Sequence, residues 1–329
     1  MDANCIVNKA RRIVARHRLA EGQYCRWLWQ NETGDRELGV NEYGCADAAN
    51  ILYTIGDFIR DPEKRAKWVE TLQSQQDPVT GMFHERTHHT IHTTAHCLAA
   101  LELFDAQPLH PVHGLLPYLD PVKMAELLSG LDWEHTPWPQ SHQGAGLYAA
   151  LAITGAATPA WKKAYFGWLR EHADDVTGLG LKDRRGDAPL CHQLYGWFHY
   201  FFNHEHAHQP IPYPERLINS CIDLYQKGGL TEKFCREVGF MEIDWIFAMN
   251  RASRQTAHRF DEVKALLQDC AEKFLAYLDS LDEETDEGLN DLHMLFGAMC
   301  AVAELQIALP GQIETDVPLK NVLDRRPFI

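Results

Sequence analysis

The chain has 329 residues, with 46 acidic side chains against 31 Lys and Arg, for a formal charge of -15. That balance argues against nucleic acid and anionic membranes as partners, because phosphate contacts need clustered positive charge. With 45% hydrophobic and 23% charged residues, the composition is that of a globular protein able to bury a large core without staples.

No apolar run of signal-peptide length precedes Arg11 and Arg12, and no stretch approaches the roughly 18 apolar residues that span a bilayer. The nine cysteines are scattered and form no CxxC pair. An odd, unpatterned count fits reduced, buried thiols, so a cytoplasmic location is expected.

Helical periodicity runs through the chain and predicts twelve helices, over 4–20, 43–60, 61–76, 91–105, 120–131, 142–156, 158–174, 189–206, 214–227, 239–254, 259–281 and 288–309. The odd-numbered segments have one charged face, as where Trp68, Val69 and Leu72 sit among Lys67, Glu70 and Gln73. The even-numbered ones are apolar or small nearly all round, as from Gly144 to Thr154 and from Leu295 to Ala303. A helix apolar on every side is buried on every side. Six alternations of wet and buried helix predict an all-α (α/α)6 toroid, with an inner ring wrapped by an outer ring. It forms one domain over 1–310, followed by an irregular tail, 311–329, packed back on the body.

An internal repeat supports this register. Asp77-Pro78-Val79-Thr80-Gly81 recurs as Asp174-Asp175-Val176-Thr177-Gly178, with Trp68 and Leu72 upstream of one copy matched by Tyr165 and Leu169 upstream of the other. Gln76 to Phe83, followed by Thr93-Thr94-Ala95 at the start of an apolar helix, resembles the repeat of terpenoid cyclases and protein prenyltransferases. The helix count is equally similar to that of the six-hairpin glycosidase superfamily. The first resemblance implies an isoprenoid site, but the D-x-D-D and D-D-x-x-D acid motifs are absent. The second implies carbohydrate chemistry.

In such a toroid the inner helices begin at one mouth, where buried polar groups must pair or line a wet cavity. Those beginnings carry Tyr43, Cys45 and Asp47; His92, Thr93 and His96; Trp138, Gln140, His142 and Gln143; His192, Gln193 and Tyr195; Glu242, Asp244 and Trp245; and Asn290, Asp291 and His293. A desolvated carboxyl acts as a general acid near neutrality, and a neutral imidazole exchanges protons there.

The expected function is therefore acid/base chemistry on a mono- or oligosaccharide. Asp47 with Glu242 or Asp244 would serve a hydrolase, and His142 with His192 a lyase or epimerase. Glu242 and Asp244, two apart on a helix, are not expected both to face the cavity. His92, His96, Trp138, Gln143, Tyr195, Trp245 and His293 would contact substrate, with Arg184 reaching an acidic sugar from the loop Lys182–Gly186. No cofactor or metal is expected. His84, His88, His92 and His96 recur every four residues, but 81–90 reads as loop, and His204 to His208 reads as solvated surface. The remaining alternatives are a terpenoid or prenyl-type site and a non-catalytic ligand-binding scaffold.

Overall fold

The computed structural model describes residues 1–184 and 186–329. It is mostly helical: α1 Asn4–His17, α2 Glu42–Thr54, α3 Pro62–Ser74, α4 Thr90–Leu103, α5 Pro121–Gly130, α6 Pro137–Ile153, α7 Pro159–His172, α8 Leu190–His206, α9 Pro214–Gln226, α10 Met241–Ala252, α11 Phe260–Ser280, α12 Glu287–Asn290 and α13 Leu292–Ala308. A short hairpin, β1 Arg18–Ala20 with β2 Gln23–Tyr24, and a 3-10 segment, His113–Leu119, were not anticipated. No helix is long and apolar enough to cross a membrane.

Helix starts follow local chemistry. Four of the wet helices, α3, α5, α7 and α9, open on proline at the first turn. There the missing N–H would have no helical partner anyway, and φ is already preset. Asp61, Asp120 and Thr158 cap the first three, each accepting a backbone N–H.

The apolar helices pack on each other and on the wet ones. α2 lies against α4, α4 against α6, α6 against α8, α8 against α10, α10 against α13, and α13 returns to α2. Nearly every residue of α4, α10 and α13 is buried.

The repeated turn is real in geometry and wider than two copies. Asp77 accepts from the N–H groups of Val79 and Thr80 and from the Thr80 hydroxyl. Asp174 does the same with Val176 and Thr177. Asp132, with Glu134, His135 and Thr136, and Asp282, with Glu284 and Thr285, build the same device. Each copy leads into the approach to a buried helix. Gly81 closes the first at φ +69°, where a Cβ would meet the Pro111 carbonyl at 1.9 Å.

The tail folds back on the body. Glu304, fully buried, accepts both Nε and Nη2 of Arg251 at 2.7 Å and the amide of Asn250 at 2.6 Å, and it also takes Asn321 from the tail. Arg251 reaches on to Asp324 at 2.9 Å. Phe328 ends wholly buried between His92 and Phe202. Glu304→Ala leaves the Arg251 guanidinium buried without its bidentate partner. The expected loss is about 3–5 kcal/mol, read as a lower urea midpoint, with faster tryptic cleavage after Arg325.

Candidate functional site: a buried histidine cluster beneath a polar vestibule

The segment Tyr24–Leu28 lies across the start of α2. Gly44 permits this, since a Cβ there would meet the Cys25 carbonyl carbon at 2.5 Å. The crossing delivers Arg26, which is 5% exposed, to the beginnings of α4 and α13. Its Nε and Nη2 grip both oxygens of Asp291 at 2.9 and 3.0 Å. Asp291 in turn caps α13 at His293 N, and its extended backbone separates α12 from α13. This explains why the single helix expected over 288–309 is broken.

Around Arg26 the proton positions follow from donor counting. Glu85 accepts the Thr87 hydroxyl at 2.6 Å. The Thr87 oxygen must therefore accept from Arg26 Nη1 and from His88 Nδ1, both at 2.7 Å. His88 is thus the Nδ1–H tautomer, with a lone pair on Nε2. Burial pushes the Glu85 carboxyl up, but bonds from His88 and Thr87 and the Arg26 charge outweigh it and hold it at about 2. Burial lowers the His88 imidazole, with Glu85 opposing.

Behind His88 the rings converge. Tyr43 stacks on His88 at 4.6 Å and on His96 at 4.8 Å, and its hydroxyl meets His92 Nδ1 at 2.5 Å. Asp47, one helical turn deeper and fully buried, accepts His96 Nε2 at 2.7 Å and His293 Nδ1 at 3.2 Å. A carboxylate accepts only, so both tautomers are set. His96 Nδ1 is left buried with no partner. Burial raises the Asp47 carboxyl, yet the two imidazoles outweigh it and keep it below the ordinary carboxylate range. Burial holds His293 down to about 4 against the pull of Asp47.

On the far side of His92 stand His142 of α6, with ring centroids 4.4 Å away, and His199 of α8. Burial, then neighbouring imidazoles, holds His92 and His142 well below the usual range, and burial takes His199 to about 4. All three are neutral at pH 7.

A polar vestibule of about 380 Å³ lies over this cluster, lined by Trp27, Asn31, Asp35, Arg36, Glu37, Glu85, Arg86, Thr87 and Asp291. Among the described residues no imidazole lines the vestibule itself, which meets the cluster through Glu85, Thr87 and Asp291. A larger cavity, about 910 Å³, lies on the flank between Tyr225, Phe234, Cys235 and Tyr277 and shares none of those residues.

The structure thus brings together Asp47, His92, His96, His142 and His293 of the residues expected at the site. It does not bring the rest. His192 sits two turns before His199 on α8, about 10 Å along the axis, and touches Trp138 and Tyr195 instead. Glu242 is turned toward the α9–α10 loop, where its Oε1 accepts Cys235 N at 2.6 Å. Asp244 is buried near it, and burial, reinforced by Glu242, raises its carboxyl well above the normal range. Both acids are buried, although they stand two apart on one helix. Among the described residues no hydrogen bond or ion pair joins either to the histidines.

Trp245 faces outward to α9, donating to Cys221 O and stacking on Tyr225. Gln143 bonds Gln140. Arg184 reaches Glu134 and Ser129 O rather than the cluster, and Arg185 of the same loop lies outside the described residues.

His204, expected as solvated surface, is 2% exposed. Its Nδ1 meets Tyr200 O, and its ring packs on Phe166. The loop assignment of 81–90 holds up to the start of α4, yet His88 joins the stack from that loop, while His84 only meets Thr90. Arg26 and Glu85 were missed. The available signal was a lone cation inside the aromatic run Tyr24 to Trp29.

The chain matches no family profile, and no curated protein or solved structure matches it.

Proposed function

We propose that this protein is a cytoplasmic six-hairpin (α/α)6 toroid enzyme that moves protons on a small, polar, saccharide-like substrate. The neighbour order from α2 through α13 back to α2 supports the toroid. Nine free cysteines, eight of them buried, support a reducing compartment.

One observation carries the catalytic reading. His88, with 19% of its side chain exposed beside the vestibule residues Glu85 and Thr87, is a neutral imidazole whose lone pair is fixed on Nε2. A base of that kind abstracts a proton next to a carbonyl or a carboxylate. The polar lining of the vestibule suits a hydroxyl-rich guest, and Arg86 suits an acidic one. Glu85 and Arg26 hold the imidazole in place, so they are positioning residues.

The two-carboxylate hydrolase is the weaker version, because both Asp47 oxygens are engaged by imidazoles and Glu242 faces another loop. A terpenoid site is weaker still, since the vestibule is polar rather than aromatic.

The test is deuterium uptake from D2O by a panel of neutral and acidic mono- and disaccharides, read by mass spectrometry. Uptake by at least one sugar, lost by at least 100-fold in His88→Gln with an unchanged melting temperature, is expected. No uptake across the panel, or uptake indifferent to His88→Gln, refutes the reading.

A further inference from the structure

The geometry points to a transition-metal site, of zinc type, held by His92, His142 and His199. This goes beyond the proton-transfer reading and does not depend on it, since His88 is not among the ligands.

The three side chains come from three successive buried helices, and one ring nitrogen from each lies within 4.8 Å of the others. Nitrogens on one tetrahedral zinc stand about 3.4 Å apart for bonds of 2.0–2.1 Å. The rings must therefore close by about an ångström or a little more, a movement available to side-chain rotation. His199 Nδ1 meets the Gly196 carbonyl at 3.2 Å. A carbonyl only accepts, so the lone pair of His199 is on Nε2. His92 Nδ1 lies 2.5 Å from Tyr43 Oη, and binding a metal through His92 Nε2 requires the tautomer in which Nδ1–H donates to the phenol oxygen. Orienting bonds of this kind from the other ring nitrogen are the usual support of a metal-bound imidazole.

The chemistry of the donor set agrees. Three imidazoles without a carboxylate among them are an odd choice for a protein core, where polar groups are normally paired. As neutral nitrogen donors they suit zinc or its neighbours in the first transition row. They are 4%, 9% and 7% exposed, so the donors stand in a largely desolvated setting. Asp47 lies behind the neighbouring His96, whose ring centroid is 6.3 Å from that of His92, and supplies negative charge nearby. The other histidine group, Asp47 with His96 and His293, is the lesser candidate, because both its carboxylate oxygens already accept N–H bonds.

The experiment uses the full chain, stripped with a chelator and titrated with zinc and, separately, cobalt(II). One equivalent per chain is expected, with a tetrahedral cobalt spectrum and a melting temperature raised by about 5 °C at saturating metal. His142→Gln should lose the spectrum and the shift, whereas His204→Gln, on the same helix as His199, should keep both. Binding below a tenth of an equivalent to the wild-type chain overturns the inference. So does binding that survives His142→Gln and is lost in His293→Gln, which would put the ion on the Asp47 group.

Discussion

Acidification from pH 7.5 to 4.5 is expected to remove several kcal/mol of stability, a large part of the reserve of an ordinary domain. The loss comes from histidines buried neutral. Burial holds His17, His199, His204, His206 and His293 at about 4 and keeps His92 and His142 well below the usual range. In the unfolded chain the same groups titrate near 6.5. Below that value the unfolded state takes up protons that the folded state refuses, so stability falls with pH until the folded values are reached. Each of the five groups held at about 4 costs about 2.5 kcal/mol by pH 4.5, and His92 and His142 act in the same direction.

Glu242 and Asp244 work in the opposite sense. Burial raises Glu242 to about 7 and holds Asp244 well above the usual carboxylate range. In mildly acid solution both stay protonated in the folded state where the unfolded chain has ionised them. Their contribution grows as pH falls toward the unfolded values and offsets part of the histidine loss. Toward alkaline pH that contribution shrinks, so stability declines there too. The expected profile of urea midpoints is a maximum near pH 7, with a steep acid limb and a shallow alkaline one. A flat profile between pH 7.5 and 5 would mean that the imidazoles titrate normally in the folded protein.

Asp47→Ala is expected to cost about 2–6 kcal/mol at pH 7.5, about 1–3 for each of two buried donors left unsatisfied. Asp47 is wholly buried and accepts from His96 and His293, which come from different helices. Without it two imidazole N–H groups lose their acceptor. Asp47→Asn keeps one acceptor oxygen but turns an NH2 toward the other imidazole, so its expected cost is about 1–3 kcal/mol. Equilibrium unfolding of both variants gives the order wild type, Asn, Ala. An alanine variant within about 1 kcal/mol of wild type would remove Asp47 from its place as the anchor of the cluster.

The helices were legible because their causes are local. Residues Leu98 to Leu103 have no wet side worth the name, and Asp61-Pro62, Asp120-Pro121 and Thr158-Pro159 mark helix starts within the chain itself. Boundaries failed where a distant residue decides them. α6 begins at Pro137, five residues before the expected start, and Asp291 leaves helical geometry to meet Arg26, 265 residues away.

The site was legible by half for the same reason. Position at an inner-helix start pointed to Asp47, His92, His96, His142 and His293, but it says nothing about which way a side chain turns. Glu242 and Trp245 begin a buried helix and still face the α9 side. Arg26, Glu85 and His88 come from loops, where no periodicity reports burial. His204 looked wet because it lies near the end of its helix before Pro210, yet Phe166 of the neighbouring wet helix covers it.

Around Asp47, beneath the vestibule, a set of imidazoles is kept neutral together. Nitrogen-15 NMR of the histidine rings, followed from pH 8 to 5, tests it most directly. His135, exposed and raised by its bond to Asp187, should gain its proton above pH 6.5 and serve as the internal standard. His199 and His293 should keep the neutral pattern down to pH 5, each with its proton on Nδ1. Imidazolium signals from these two at pH 6.5, alongside His135, would contradict the account.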